Sequence, residues 1–97
     1  MSLRGQPVEK EATLPDGERV LIRIALASDG YVPRREVHTV TLELVADERV
    51  QATVNTVLDA AQVKEARHLA AEVAKRLESG ELEPTASAIE PLADSIL

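Results

Sequence analysis

Hydrophobic and polar residues alternate along the first half of the chain, and a period of two is typical of β-strands. The clearest example places Val20, Ile22 and Ile24 on one face of a strand. Pro15-Asp16-Gly17 precedes it and has the composition of a tight turn. The alternation predicts four strands, at about residues 8–14, 19–27, 36–45 and 49–57.

The segment at residues 49–57 fits two interpretations. As a helix capped by Asp47, it stacks Val50, Val54, Val57, Leu58 and Ala61. As a strand, it places Val50, Ala52 and Val54 inward and Gln51, Thr53 and Asn55 in solvent. We favour the strand, because Asp59 and Gln62 have the spacing of a capping box that starts a helix near Ala60.

After residue 60 the hydrophobic period lengthens to that of an α-helix. Residues 60–79 are predicted to form an amphipathic helix that ends at Gly80, with Glu72 and Arg76 as an i,i+4 ion pair. Its apolar stripe consists of Val63, Ala66, Leu69, Ala70, Val73 and Leu77.

A short final helix is predicted at about residues 88–97. Ser87 and Glu90 have capping-box spacing, which places Pro91 in the first turn, where its missing N–H costs least. The apolar stripe of this helix consists of Ile89, Leu92, Ala93, Ile96 and Leu97. It can fold back on its own domain or dock into another chain, and we favour folding back.

Together these elements predict a two-layer α+β domain. An antiparallel meander of three to four strands is packed on one face by the amphipathic helix, and the short helix follows. Residues 1–7 are predicted to be a flexible N-terminal arm, and residues 8–97 a single domain.

The composition gives this core an unusual character. Hydrophobic residues make up 44% of the chain, but there is no Phe or Trp and only one Tyr. Aliphatic side chains bury less surface than aromatic ones, so the core is thin. Self-association would compensate for it, which favours a homodimer.

The net charge of −6 opposes binding to nucleic acid. From Glu78 onward every charged residue is acidic, which indicates a solubilising surface or a docking surface for a basic partner. No apolar stretch is long enough for a signal peptide or a bilayer span, so we expect a cytoplasmic protein without membrane partners.

Residues with catalytic potential are scattered. His38 and His68 have no cysteine or second histidine at metal-ligand spacing, and the glycines are isolated, so we expect no metal and no cofactor. The loop at residues 28–36 holds Tyr31, Arg34 and Arg35, which are suited to a small anion.

The leading hypothesis is therefore a non-enzymatic protein-interaction or regulatory module. We expect it to be homodimeric and to act through its sheet edge or its C-terminal helix. The alternative is a small-ligand or anion-binding domain that uses residues 28–36. An enzyme of unknown type ranks third, because no acid, base and nucleophile are assembled in the sequence.

Overall fold

Four strands and then two helices follow one another along the chain. The computed structural model describes residues 3, 6–26 and 40–94. The strands lie in the order β1-β2-β3-β4, and all neighbours are antiparallel. The predicted α+β fold with a meander sheet is therefore confirmed. Its elements are β1 (Val8–Thr13), β2 (Arg19–Leu26), β3 (Val40–Ala46), β4 (Arg49–Asn55), α1 (Val63–Ser79) and α2 (Ala86–Asp94).

One face of the sheet forms the core. Ile22 pairs with Leu44 and Ile24 pairs with Leu42 in the β2–β3 register. Directly opposed residues of an antiparallel pair share a face of the sheet. All four side chains are fully buried, so this shared face is the one that forms the core. The alternation read from the sequence for Val20, Ile22 and Ile24 of β2 is therefore confirmed.

Both helices cover this face. The predicted stripe of α1 is buried from Ala66 to Leu77, and α1 contacts β1 and β2. Ile89 and Ala93 of α2 are buried in the same core, and α2 contacts β4. Thus α1 lies against β1 and β2 and α2 lies against β4; the sequence analysis favoured folding back of the final helix but did not specify this position.

A β-bulge in the β3–β4 pair changes one prediction. The register runs from Leu44 opposite Ala52 to Val45 opposite Val50, so Gln51 is the extra residue. An extra residue reverses the alternation beyond it. Val54 is buried as predicted, but Val50 faces the other side of the sheet and is 53% exposed. The inward placement of Val50 was therefore wrong.

The β3–β4 turn holds two non-glycine residues in the left-handed region. Asp47 has φ 53° and Glu48 has φ 63°, as the two central residues of a type I′ hairpin turn require. Glycine is favoured at the second position, because a Cβ in this conformation costs about 1–2 kcal/mol.

We therefore expect Glu48→Gly to raise the free energy of unfolding by about 1 kcal/mol. Urea denaturation of both proteins measures the change. Glu18→Gly is the control, because Glu18 is also exposed but does not have a positive φ. A stabilisation that is equal in the two variants would contradict this explanation.

The helix starts differ from those predicted. Asp59 and Gln62 do interact, since the Asp59 N–H donates to Oε1 of Gln62 at 2.9 Å. However, they close a turn before α1, and Gln62 is non-helical with ψ 54°. The helix therefore begins at Val63, three residues after the predicted start.

The start of α2 was also misplaced. Oγ1 of Thr85 accepts a hydrogen bond from the Ala88 N–H at 3.3 Å, which is the N-cap geometry predicted for Ser87. The helix consequently begins at Ala86 and places Pro91 inside it rather than in its first turn. The helix end predicted at residues 95–97 lies outside the described residues, as do residues 27 and 36–39 of the predicted strands.

Leu3 is described within the predicted N-terminal arm. Its side chain is buried, and its N–H donates to the carbonyl of Ala60 at 2.8 Å. The division into an arm and a domain stays a prediction.

Candidate functional site: the β1 edge and its groove

Strand β1 is the end strand of the sheet, and its outward backbone groups follow from one hydrogen bond. The Leu14 N–H donates to the carbonyl of Glu18. Because hydrogen-bonded positions alternate along an antiparallel pair, the backbone N–H and C=O groups of the even-numbered residues of β1 point toward β2. Glu9, Glu11 and Thr13 therefore direct their N–H and C=O groups away from β2. In the described part of the chain, no strand pairs with this side of β1.

The C-terminal half of α1 closes one end of this edge. Oε2 of Glu78 accepts a hydrogen bond from the Thr13 N–H at 3.5 Å. Gly80, which ends α1 with φ 82° as predicted, has Pro15 of the β1–β2 turn next to it. The Glu78 carboxylate thus accepts the outward N–H of Thr13. The outward N–H groups of Glu9 and Glu11 remain along the rest of the edge.

A groove of about 520 Å³ lies between the first part of β1 and the first part of α1. On the α1 side, Ala70 and Ala71 have small side chains, which leaves space between the helix and the strand. Gln6 and Pro7 extend the other wall beyond the strand. The lining residues are Gln6, Pro7, Val8, Glu9, Lys10, Val63, Arg67, Ala70 and Ala71.

Lys10 is the unexpected member of this groove. Its register partner is Ile22, which is fully buried, so Lys10 belongs to the core-facing side of β1. The side chain is nevertheless exposed, because β1 is at the end of the sheet. A charged residue on the inward side of an end strand limits uncontrolled pairing with other strands.

Charge is therefore divided between the two sides of the edge. Lys10 and Arg67 are exposed cations that line the groove. Glu9 also borders the groove, but its side chain and that of Glu11 belong to the opposite face of the strand, since side chains alternate along a strand. An extended segment beside β1 would meet cations on one side and carboxylates on the other.

A second, shallower depression of about 260 Å³ lies on the outer face of the sheet. It is lined by Glu11, Arg19, Val20, Leu21, Val45, Ala46, Asp47 and Glu48. The register adds exposed Val50 to the apolar row of Leu21 and Val45. It is a small aliphatic patch next to acidic residues.

The residues proposed from the sequence are placed as follows. Tyr31, Arg34 and Arg35 lie outside the described residues, and so does His38. His68 is exposed on α1. Of the C-terminal stripe, Ile89 and Ala93 are buried, Leu92 is half-buried, and Ile96 and Leu97 lie outside the described residues.

The buried side chains of the described residues are almost all aliphatic. Thr41 is the one polar residue among those that the structure describes as buried. Within residues 6–26 and 40–94, no three His, Cys, Asp or Glu side chains are grouped to hold a metal ion. No helix in the described ranges has the length and apolarity needed to cross a membrane.

Comparison with known proteins adds no assignment. No protein-family model, no curated protein and no solved structure matches the chain.

Sequence reasoning had interpreted residues 8–14, with Glu9, Lys10 and Glu11, as an edge strand whose charges discourage further pairing. The inward position of Lys10 was readable from the alternation of Val8, Lys10 and Ala12. The groove itself was not, because it depends on where α1 lies relative to β1.

Proposed function

We propose that this protein is a non-enzymatic interaction module that binds an extended segment of a partner protein at the edge of β1. The observation that carries the proposal is the pair of outward-facing backbone positions, Glu9 and Glu11, beside an open groove. A strand added at such an edge gains main-chain hydrogen bonds for affinity and side-chain contacts for specificity.

The position of α1 supports an extended partner over a helical one. The groove runs between a strand and a helix, and its wall at Ala70 and Ala71 consists of small side chains. An added strand lies about 4.8 Å from its neighbour, which is closer than the 8–10 Å separation of packed helices. A strand also satisfies the outward N–H and C=O groups of β1, which a helix leaves unpaired.

A second copy of the same strand is a poor occupant of this edge. Antiparallel pairing of two β1 strands centred on Lys10 places the two lysines opposite each other and each Glu9 opposite a Glu11. Pairing centred on Glu11 opposes the two Glu11 side chains instead. Like charges directly opposed across strands are destabilising.

The homodimer expected from the thin core therefore stays a proposal, and it needs another surface. The outer row of Leu21, Val45 and Val50 offers exposed aliphatic area for it. The anion-binding hypothesis for Tyr31, Arg34 and Arg35 also stays a prediction.

The edge can be blocked without removing a hydrogen bond of the sheet. Proline lacks an N–H, and it is tolerated in end strands where that N–H faces outward. We expect Glu9→Pro/Glu11→Pro to retain the fold and to lose at least tenfold in affinity for peptides selected from a displayed heptapeptide library.

The matched control is Thr53→Pro in β4, the other end strand. Thr56 donates its N–H to the Val40 carbonyl, so the even-numbered residues here are hydrogen-bonded to β3 and the backbone N–H of Thr53 points away from the sheet. This variant should bind the selected peptides as the unmodified protein does. Amide hydrogen exchange should show protection of Glu9 and Glu11 on binding; protection confined to β4 would refute the proposal.

A further inference from the structure

We infer that the β1 edge selects an antiparallel segment with the pattern basic, acidic, basic, apolar. This inference rests on the proposed function and specifies its partner. The four positions lie opposite Glu11, Lys10, Glu9 and Val8, in that order. The partner is thus an extended protein segment whose charges are the inverse of those of β1.

The register follows from the backbone of β1. Glu9 and Glu11 offer outward N–H and C=O groups, so they form the hydrogen-bonded pairs with an added strand. Their opposed residues share their face, the outer face of the sheet. The residue opposite Lys10 lies between them and faces the groove.

The sheet already places charges of opposite sign at opposed positions of neighbouring strands on its outer face. Glu9 is directly opposite Arg23 in the β1–β2 register. Arg23 is in turn opposite Glu43 of β3, so charges of opposite sign alternate across three strands. A basic residue on the open side of Glu9 continues the alternation, and opposite charges across a strand pair are stabilising.

Inside the groove the preferred charge of the partner residue is reversed, from basic to acidic. Lys10 and Arg67 both line it, and an acidic side chain opposite Lys10 enters between strand and helix, beside these cations. A lysine or arginine at this position would add a third positive charge. The groove therefore favours Asp or Glu at the second position.

The remaining wall of the groove is largely apolar. Pro7, Val8 and Val63 line it near the start of β1, together with Ala70. A residue opposite Val8 faces this part, so the fourth position favours an aliphatic side chain. At the other end of β1, the Thr13 N–H already donates to the Glu78 carboxylate, which limits strand addition beyond Glu11.

The test uses three synthetic peptides, each capped at both ends and labelled for fluorescence anisotropy. The first has the sequence Thr-Lys-Asp-Lys-Val-Thr. The second, Thr-Glu-Lys-Glu-Val-Thr, inverts the charges, and the third is the first written backwards. We expect the first peptide to bind about tenfold more tightly than the second, because two cross-strand pairs and the groove contact all change sign. It should also bind more tightly than the third.

Charge-reversed protein variants then locate the effect. Glu9→Lys/Glu11→Lys should bind the charge-inverted peptide better than the first one. Glu90→Lys/Asp94→Lys is the control, because it changes the net charge equally at two exposed positions of α2. It should keep the original order of affinities. Circular dichroism and thermal unfolding establish that both variants are folded.

Two outcomes overturn the inference in different ways. If all three peptides bind equally and protect the Glu9 and Glu11 amides from exchange, the charge pattern is refuted and the proposed edge binding remains. If no peptide, including those selected from the library, protects these amides, the proposed function itself is refuted.

Discussion

Leu69→Ala is expected to lower the free energy of unfolding by about 3–4 kcal/mol. Leu69 is fully buried at the middle of the α1 stripe, where the helix covers the sheet. Leucine and alanine both have high helix propensity, so the loss is one of packing rather than of helix formation. Since domains of this size are stable by only about 5–15 kcal/mol, the effect is a large fraction of the total.

Chemical denaturation followed by circular dichroism measures this loss. Lys75→Ala is the matched control, because Lys75 lies exposed on the same helix and alanine is again a good helix former. It should change stability by no more than about 0.5 kcal/mol. If the two substitutions had similar effects, α1 would not form the second layer.

The fold was predictable where each residue's neighbours in sequence determine its environment. In β2, Val20, Ile22 and Ile24 follow strict alternation, and the sheet buries all of them. In α1, the pair Glu72 and Arg76 was identified by spacing, and Nε of Arg76 lies 3.1 Å from Oε1 of Glu72. These features need only the period of a strand or a helix.

Three corrections share a different cause, which is a competing local interaction. The bulge at Gln51 moves Val50 outward, and the side-chain Nε2 of Gln51 donates a hydrogen bond to the carbonyl of Ala46 at 3.2 Å. Thr85 caps α2 in place of Ser87. The turn closed by Asp59 and Gln62 delays α1. In each case a local hydrogen bond accompanies the shift of the element, and residue spacing alone does not reveal it.

The candidate site depended on still longer-range information. Glu9, Lys10 and Glu11 were recognised as charged residues of an end strand, a pattern typical of strands that avoid pairing. Arg67 and Ala71 come from a helix more than fifty residues later. No local pattern places these residues beside β1, so the division of charge between the two sides of the edge emerged only from the structure.

The same charges that restrict pairing can also specify it. Lys10 and the two glutamates disfavour a second β1 strand, which reduces self-association at this edge. A strand of inverse charge meets no such repulsion. Specificity of this kind depends as much on the partners that are repelled as on the one that is bound.

The placement of α2 leads to the last prediction, which distinguishes a core helix from a docking helix. Ile89→Ala should lower the free energy of unfolding by about 2–4 kcal/mol in the isolated protein. Ile89 is fully buried in the core that also contains Val54 of β4. A helix of nine residues is marginal on its own, and Pro91 removes one N–H from it, so packing must hold it in place.

Denaturant unfolding measures the global effect, and amide exchange measures the opening of α2. Val57→Ala is the control, because Val57 is 49% exposed and its truncation should have a small effect. If Ile89→Ala left unfolding and exchange unchanged in the isolated protein, α2 would not belong to the core. Its apolar stripe would then be available to a partner chain, and the C-terminal helix would become a second candidate interaction surface beside the β1 edge.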